Sequence, residues 1–588
     1  MRFIVPAALI VLLTAFPARA QNPDIDSPML RDPEIQVAAV RKTFDPRLVD
    51  LWLLALDRPE VEMRTEAARA IAYAHGRGMT GLAVAVGPLR RELDKPGQHA
   101  DVTLAAARAL AALDAKATAD ALMNLARDHI DLREVIDPAL ARWDHPAARA
   151  EWLARLREEP FRRGHVLAAQ ALAAVGEAKA VPRLRELLFS TTLPASHRLD
   201  VARALAALSP AGLEPDVRQL SADPLLAVTL LRRHSGDDAV RLLQAFAKSA
   251  EPGVAAVAAA RLMELDPEHM LPALDAVLAN ADSAARALGV EALLKLPSAE
   301  HVAKLGPRLA DVNPAVRAKA RRALVDLAAT PALRPGVLDQ GMLALKAPDW
   351  RGQEQAALLL GRLKHVPAGP LLIERLTAPR PEAFIAAAWG LREVGDPATL
   401  PAALDMLAKR HAQILKAGGT AGVPDATFAD IDRQLSQLAQ FLGQAKYLPA
   451  EKALLAIVPR FVPVGPPPGF TQVGGEARAA CIWALGRLLA GDPRKEVVAL
   501  IELRLTGDGL AFGYDDARVR LMAAVALARM GAQSSLPAVT EFSAGALPTT
   551  DPIINACRWA VAELTGKPLA PPGIVDARQR EWFLEPLK

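Results

Sequence analysis

One short phrase, an Ala-Leu step followed three residues later by Leu or Val, recurs from end to end and limits what this chain can fold into. It reads Ala107-Arg108-Ala109-Leu110-Ala111-Ala112-Leu113, returns as Ala169 to Val175, and again as Ala202 to Leu208. Further copies carry Leu262 and Leu265, Leu293 and Leu296, Leu324 and Leu327, Leu360 and Leu363, and Leu391 and Val394. Late copies carry Leu485 and Leu488, Leu527 and Met530, and Val561 and Leu564. From Leu262 to Leu391 the first leucines lie 31, 31, 36 and 31 residues apart, room for two helices of about three turns and two short turns. A single core stops growing at roughly 250 to 300 residues, so 588 residues in this rhythm predict an elongated repeat array.

The unit at 301–327 shows how a repeat is built. Val302, Leu305 and Leu309 form one helical stripe, and Val316, Ala320, Ala323, Leu324 and Leu327 form another. Between them Asn313 is placed to cap the second helix and Pro314 suits its first position. Neither helix can bury its stripe alone, whereas stacked units bury a continuous core. Composition agrees: hydrophobic residues are 52% of the chain but aromatics only 4%, so the apolar surface is mostly Ala and Leu, strong helix formers. The expected fold is all-α, an α-α superhelical solenoid of helical-hairpin repeats.

These phrases resemble HEAT repeats, particularly the short bacterial kind also found in phycobilisome lyases. The resemblance rests on the turn Asp and Pro, the Val-Arg opening at Val316-Arg317 and Val519-Arg520, and the Ala-Leu-x-x-Leu-Gly ending. It covers nearly the whole chain after the first twenty residues and speaks to fold more than function, because the family includes scaffolds, transport receptors, regulatory subunits and a few enzymes. Tetratricopeptide repeats are the nearest rival on length, but their Trp-x-x-Leu-Gly-x-x-Tyr signature is absent, and three tyrosines could not supply it.

The expected organisation is a signal peptide at 1–20, HEAT-like repeats at 21–408, one irregular repeat with long loops at 409–475, HEAT-like repeats at 476–566, and a tail at 567–588. That tail ends in Trp582-Phe583-Leu584 and is expected to cap the last helix face. The first twenty residues place Arg2 before an apolar run from Phe3 to Phe16 and end in Ala18-Arg19-Ala20, the pattern of an export signal too short to span a membrane. A periplasmic or secreted protein with no membrane insertion after cleavage is expected. Removing Arg2 and Arg19 leaves 68 Lys and Arg against 66 Asp and Glu, a net charge of +2. So small a balance gives no electrostatic case for nucleic acid.

The sequence lacks a phosphate loop, a His-Glu-x-x-His, a Gly-x-Ser-x-Gly and a Cys-x-x-Cys-His. Histidines such as His75, His234 and His365 stand singly near helix ends, where the dipole favours them. Arg317, Arg478 and Arg520 start second helices, where related solenoids use arginines in ladders with turn aspartates. No catalytic residue, metal or cofactor is expected. The leading functional expectation is a non-enzymatic scaffold for a protein partner; an enzyme or subunit of lyase type is second and a nucleic-acid binder third.

Two places could carry binding. Trp389, Trp483 and Trp559 share the late stretch of second helices, as repeat core or as a stacking platform for a peptide or glycan. Four long connections, at 417–426, 461–475, 506–516 and 543–551, each join the first helix of a unit to its second, and a regular solenoid projects them from one edge. Two of them, spanning 26 residues, hold Phe461, Phe470, Phe512 and Tyr514, four of the chain's 17 Phe and Tyr. With Asp508, which stands between two glycines, these are the candidate partner-binding residues, unless the aromatics fold back over the solenoid edge. Asp515 and Asp516 read as caps for the helix that follows.

The only cysteines, Cys481 and Cys557, align at one repeat position, with Ala523 at that position in the unit between. Two spacings of about 10 Å exceed the roughly 7 Å reach of a disulfide between Cα atoms. Thiol titration of the unfolded, unreduced protein should find two free groups per chain; finding none in a monomer would contradict this register.

Overall fold

The computed structural model describes residues 25–158, 162–416, 425–464, 469–471, 473–507, 513–545, 547–580 and 582–586. The proposed signal at 1–20 lies outside them. The described residues form two compact units, one of Ala39–His301 with Ile574–Lys588, the other of Met1–Ala38 with Val302–Gly573.

In the first unit helices alternate as short hairpins, such as Val86–Asp94 with Ala100–Ala112 and Val181–Phe189 with Ala195–Leu208. Second helices stack on their successors, and Leu110, Leu172, Leu205, Leu262 and Leu293 are fully buried between them. The two ends of this unit meet in a parallel strand pair, Ala39–Thr43 with Ile574–Arg578, braced by Arg41 and Asp576 at 2.7 Å. The tail therefore does not place Trp582 on the last helix. Its ring stands among Phe44, Trp52 and Tyr73, with centroids 5.6 to 5.9 Å away, and the Trp52 indole N–H donates to the Phe583 carbonyl. A large apolar side chain on a free tail settles where a helix face lacks a neighbouring repeat, and here that is the first repeat.

The second unit repeats the hairpin through Pro314–Leu327, Trp350–Arg362, Pro381–Val394, Asp425–Gln444, Gly475–Leu488, Ala517–Met530 and Pro552–Thr565, its second helices. Asn313 caps the first of these through the amides of Ala315 and Val316, and Pro314 opens it, as its spacing predicts. The 409–475 stretch differs from expectation. Asp425–Gln444 is the second helix of a pair begun by Leu400–Lys416, and Glu451–Ile457 is the first helix of the next pair. The long connections fall inside pairs, so the stretch straddles two repeats and does not make one.

These second helices lie side by side far more intimately than the first helices do, which puts them on the concave side of this unit. Small residues permit it. A Cβ on Gly443 would fall 2.6 Å from that of Ala484, and one on Gly486 would fall 2.8 Å from the Ala526 Cα. Cys481, Ala523 and Cys557 occupy matching positions on three successive helices of the row, and both thiols are buried and unbridged.

Buried charges tie neighbouring repeats together. Arg478, fully buried at the start of its helix, donates to both oxygens of Asp515 in the next repeat and to the Val473 carbonyl. Arg504 also reaches Asp515, while Asp516 caps the following helix through the Arg518 amide. Of the two aspartates expected as caps, only Asp516 serves as one, because the buried guanidinium claims its neighbour.

Leu324 is fully enclosed in this row. Leu324→Ala should cost roughly 2 to 5 kcal/mol through the cavity it leaves. Hydrogen exchange should quicken in its own and adjacent repeats; uniform acceleration along the chain would contradict a nearest-neighbour array.

Candidate peptide groove

The concave row of the second unit presents a repeated pair of groups. Trp389 is followed three residues later by Arg392, and Trp483 four residues later by Arg487, spacings that bring indole and guanidinium to one helix face. Arg529 holds the place of Arg487 one repeat on. The helix between the two tryptophans carries buried amides instead, Gln434, Gln437 and Gln440, at intervals of three. Glycines set the rings. A Cβ on Gly361 would meet the Trp389 ring at 2.8 Å and one on Gly443 the Trp483 ring at 3.2 Å, so each indole lies over the glycine of the preceding helix.

Across this row runs a segment of the chain itself, residues 25–38. Apart from a single turn at Pro28–Leu30 it has no helix, and Pro28 and Pro33 each withhold an amide donor. It crosses the helices in repeat order. At its start Asp26 accepts from the Trp389 indole at 3.0 Å and from Arg392 at 2.5 Å, while its carbonyl accepts from Arg392 at 3.0 Å and Gln437 at 3.3 Å. Next, the Gln440 side-chain oxygen accepts from the Ser27 hydroxyl and the Met29 amide, and the Met29 side chain is buried in the core. Asp32 follows, its carboxylate on Arg487 at 2.5 Å and Arg529 at 2.6 Å and its carbonyl accepting from the Trp483 indole at 2.7 Å. Glu34, Ile35 and Gln36 then wall a pocket of about 290 Å³ with Trp559, and the Ala38 amide donates to Thr549.

Burial raises the Asp26 carboxyl pKa, but the indole hydrogen bond and the Arg392 guanidinium reverse this and hold it below 3.8, the ordinary aspartate value. Arg392 itself is fully buried, and its nearby carboxylates are Asp26 and Glu393.

The tryptophans singled out in the sequence therefore pack with the repeat core and also line the surface that holds the chain's own residues 25–38. Asp26, Asp32 and the glutamines were missed. A signal for them existed in the stretch Asp24 to Glu34, which lacks a leucine stripe and carries four acids and two prolines just ahead of the repeats.

The loop residues lie elsewhere, at the ends of first helices. Phe461 is half-buried beneath the Arg460 guanidinium, whose Nη1 donates to the Gly513 carbonyl and so joins two of the long connections. Tyr514 is 60% exposed and meets Phe542 edge-on at 5.8 Å, with Arg520 stacked 4.2 Å above its centroid. Phe470 has its backbone in the strand Gly469–Thr471, paired with Val462–Val464. Asp508 and Phe512 lie outside the described residues. Among the described residues no three His, Cys, Asp or Glu side chains gather as metal ligands would, and no helix is long and apolar enough to cross a membrane.

Residues 341–421 match the family model for HEAT repeats. No curated protein sequence matches the chain. Among solved structures, one of Kap95p with RanGDP is similar at 14% identity and a TM-score of 0.50, the likeness covering 88% of this chain and 72% of that one. Another, Kap121p bound to Pho4p, is similar at 12% identity and a TM-score of 0.50, over 88% of this chain and 57% of that one.

The Asp26 contact makes docking of the segment acid-sensitive. A carboxylate whose folded pKa is lowered stabilises the docked form fully above its ordinary value, and the contribution is lost as pH falls through the lowered one. The protection factor of the Met29 amide should hold from neutral pH to about 4 and fall below it. Asp26→Asn should lower it already at pH 7, by about tenfold for a charged hydrogen bond of roughly 1.5 to 3 kcal/mol discounted for partial exposure. Equal protection in both proteins would show that the ion pair does not hold the segment.

With its stacked helical hairpins and the HEAT match at 341–421, the chain is an all-α solenoid of HEAT-like helical-hairpin repeats.

Proposed function

We propose that this protein is an exported, non-enzymatic scaffold that binds a protein partner, and that it does so by laying an extended segment of polypeptide along the concave helix row of its second unit. One observation carries the reading: that row already holds a fourteen-residue segment, non-helical apart from one turn, through indole, amide and guanidinium groups directed at backbone and carboxylates. Such groups serve any chain of the right spacing, whether or not it is covalently part of the solenoid. The solved structures of Kap95p with RanGDP and Kap121p bound to Pho4p support it by likeness of fold. Export rests on the apolar run after Arg2 and the Ala18-Arg19-Ala20 site, and the short bacterial HEAT type on the phrases around Val316 and Val519.

A second reading places the partner on the loop edge, favoured by the exposed Tyr514 ring on its Phe542 and Arg520 platform. Affinity capture from an envelope or periplasmic fraction separates them. The bait lacking residues 1–20 should recover a partner that Arg487→Gln/Arg529→Gln reduces at least tenfold and that shortening 461–475 and 506–516 leaves unchanged. The opposite pattern, from equally stable baits, would move the site to the edge, and recovery of nothing by any bait would defeat the scaffold reading.

A further inference from the structure

The groove's contacts divide into two kinds, and the division says what it selects. Those to the Asp26 and Asp32 carbonyls and the Met29 amide address main chain and read no side chain. Besides the Ser27 hydroxyl on Gln440, the contacts that read side chains include Arg392 with Trp389 at position 26, the buried apolar site at 29, and Arg487 with Arg529 at position 32. The contacts at 26, 29 and 32 fall at equal intervals, acid, two residues, apolar residue, two residues, acid. A fully buried Arg392 shares its charge between Asp26 and Glu393 of its own helix, so loss of Asp26 leaves it only partly compensated at a place where an anion is favoured.

We propose that the groove is a recognition site for a partner's acidic segment of the pattern acid-x-x-apolar-x-x-acid, and that residues 25–38 occupy it as a built-in competitor which the partner segment displaces. This rests on the reading of the groove as a protein-binding surface. The resident segment suits such a role. It has almost no structure of its own, so its order comes from the groove. Asp26 and Asp32 each keep more than a third of their side chains exposed, so incoming carboxylates can reach the same cations as the resident ones leave. Tethering gives the resident segment a high effective concentration, and a partner's apparent affinity is reduced by the fraction of molecules whose groove is open.

The test uses a fluorescein-labelled synthetic peptide with the sequence of residues 25–38, followed by anisotropy against the full chain and against Asp26→Asn/Asp32→Asn. Weakening the resident segment should tighten peptide binding at least tenfold, while a peptide with both aspartates changed to asparagine, or its methionine to lysine, should bind at least tenfold more weakly than the parent. Hydrogen exchange on the unaltered chain gives a readout that does not depend on the variant folding: saturating peptide should expose the chain's own Met29 and Ala38 amides. No gain in the variant together with no change in exchange would overturn the proposal, as would equal affinity for the asparagine peptide. A concentration-dependent dimer abolished by Asp26→Asn/Asp32→Asn would make a second copy the occupant and overturn the assignment to a partner. If affinity capture yields a partner that this peptide does not compete, the scaffold reading survives and this one fails.

Discussion

Gly361 and Gly443 each lie beneath the indole of the next helix, where a Cβ would come within 3.2 Å of the ring or closer. Without that space the second helices of the C-terminal unit could not approach as they do with Trp389 and Trp483 wedged between them, and the indole N–H groups would not be held toward a common line. Packing and recognition thus share the same atoms. A repeat array gains stability from each interface between neighbours, and here two of those interfaces also hold the donors that meet an extended chain.

Buried arginines show the same economy in two forms. Arg478 finds its carboxylate, Asp515, 37 residues on in the adjacent repeat, so the pair forms whenever those two repeats stack. Arg392 is as deeply buried, but its partner Asp26 comes from 366 residues away. Both guanidiniums need an anion, and an uncompensated buried charge is destabilising by several kcal/mol as an order of magnitude. For Arg478 the local fold supplies the anion. Arg392 has Glu393 beside it on its own helix at 2.9 Å and draws a second anion, Asp26, from a segment that stays only as long as its own contacts hold it.

The helical hairpins were legible because their cause is periodic: Leu324 and Leu360 are buried for the same reason at the same place in successive units, and Asn313-Pro314 marks a helix start by local chemistry alone. Register between units was legible for Cys481 and Cys557 by the same periodicity. The groove was only half legible. Trp389, Trp483 and Trp559 stand out as a row, yet nothing in the repeat period says what faces them, because Asp26 and Asp32 belong to a segment outside the period. Trp582 was misplaced for a related reason. An aromatic on an aperiodic tail has no register, and its contact with Trp52 depends on which helix face lacks a neighbour, not on proximity along the chain.

Periodicity also explains why an extended segment fits this surface at all. Successive concave helices repeat at about 10 Å, close to three residues of extended chain at about 3.3 Å each. Asp26, Met29 and Asp32 meet the Trp389, Gln440 and Trp483 helices in turn, with the Pro28–Leu30 turn shortening the path between them. Any segment whose chemistry repeats at three residues stays in step with the solenoid over several helices, whereas one with the two-residue alternation of a β-strand would match at one helix and miss at the next. The spacing of the repeats thus acts as a filter on sequence before any single side chain is read, and the arginines then decide the sign of the charge it passes.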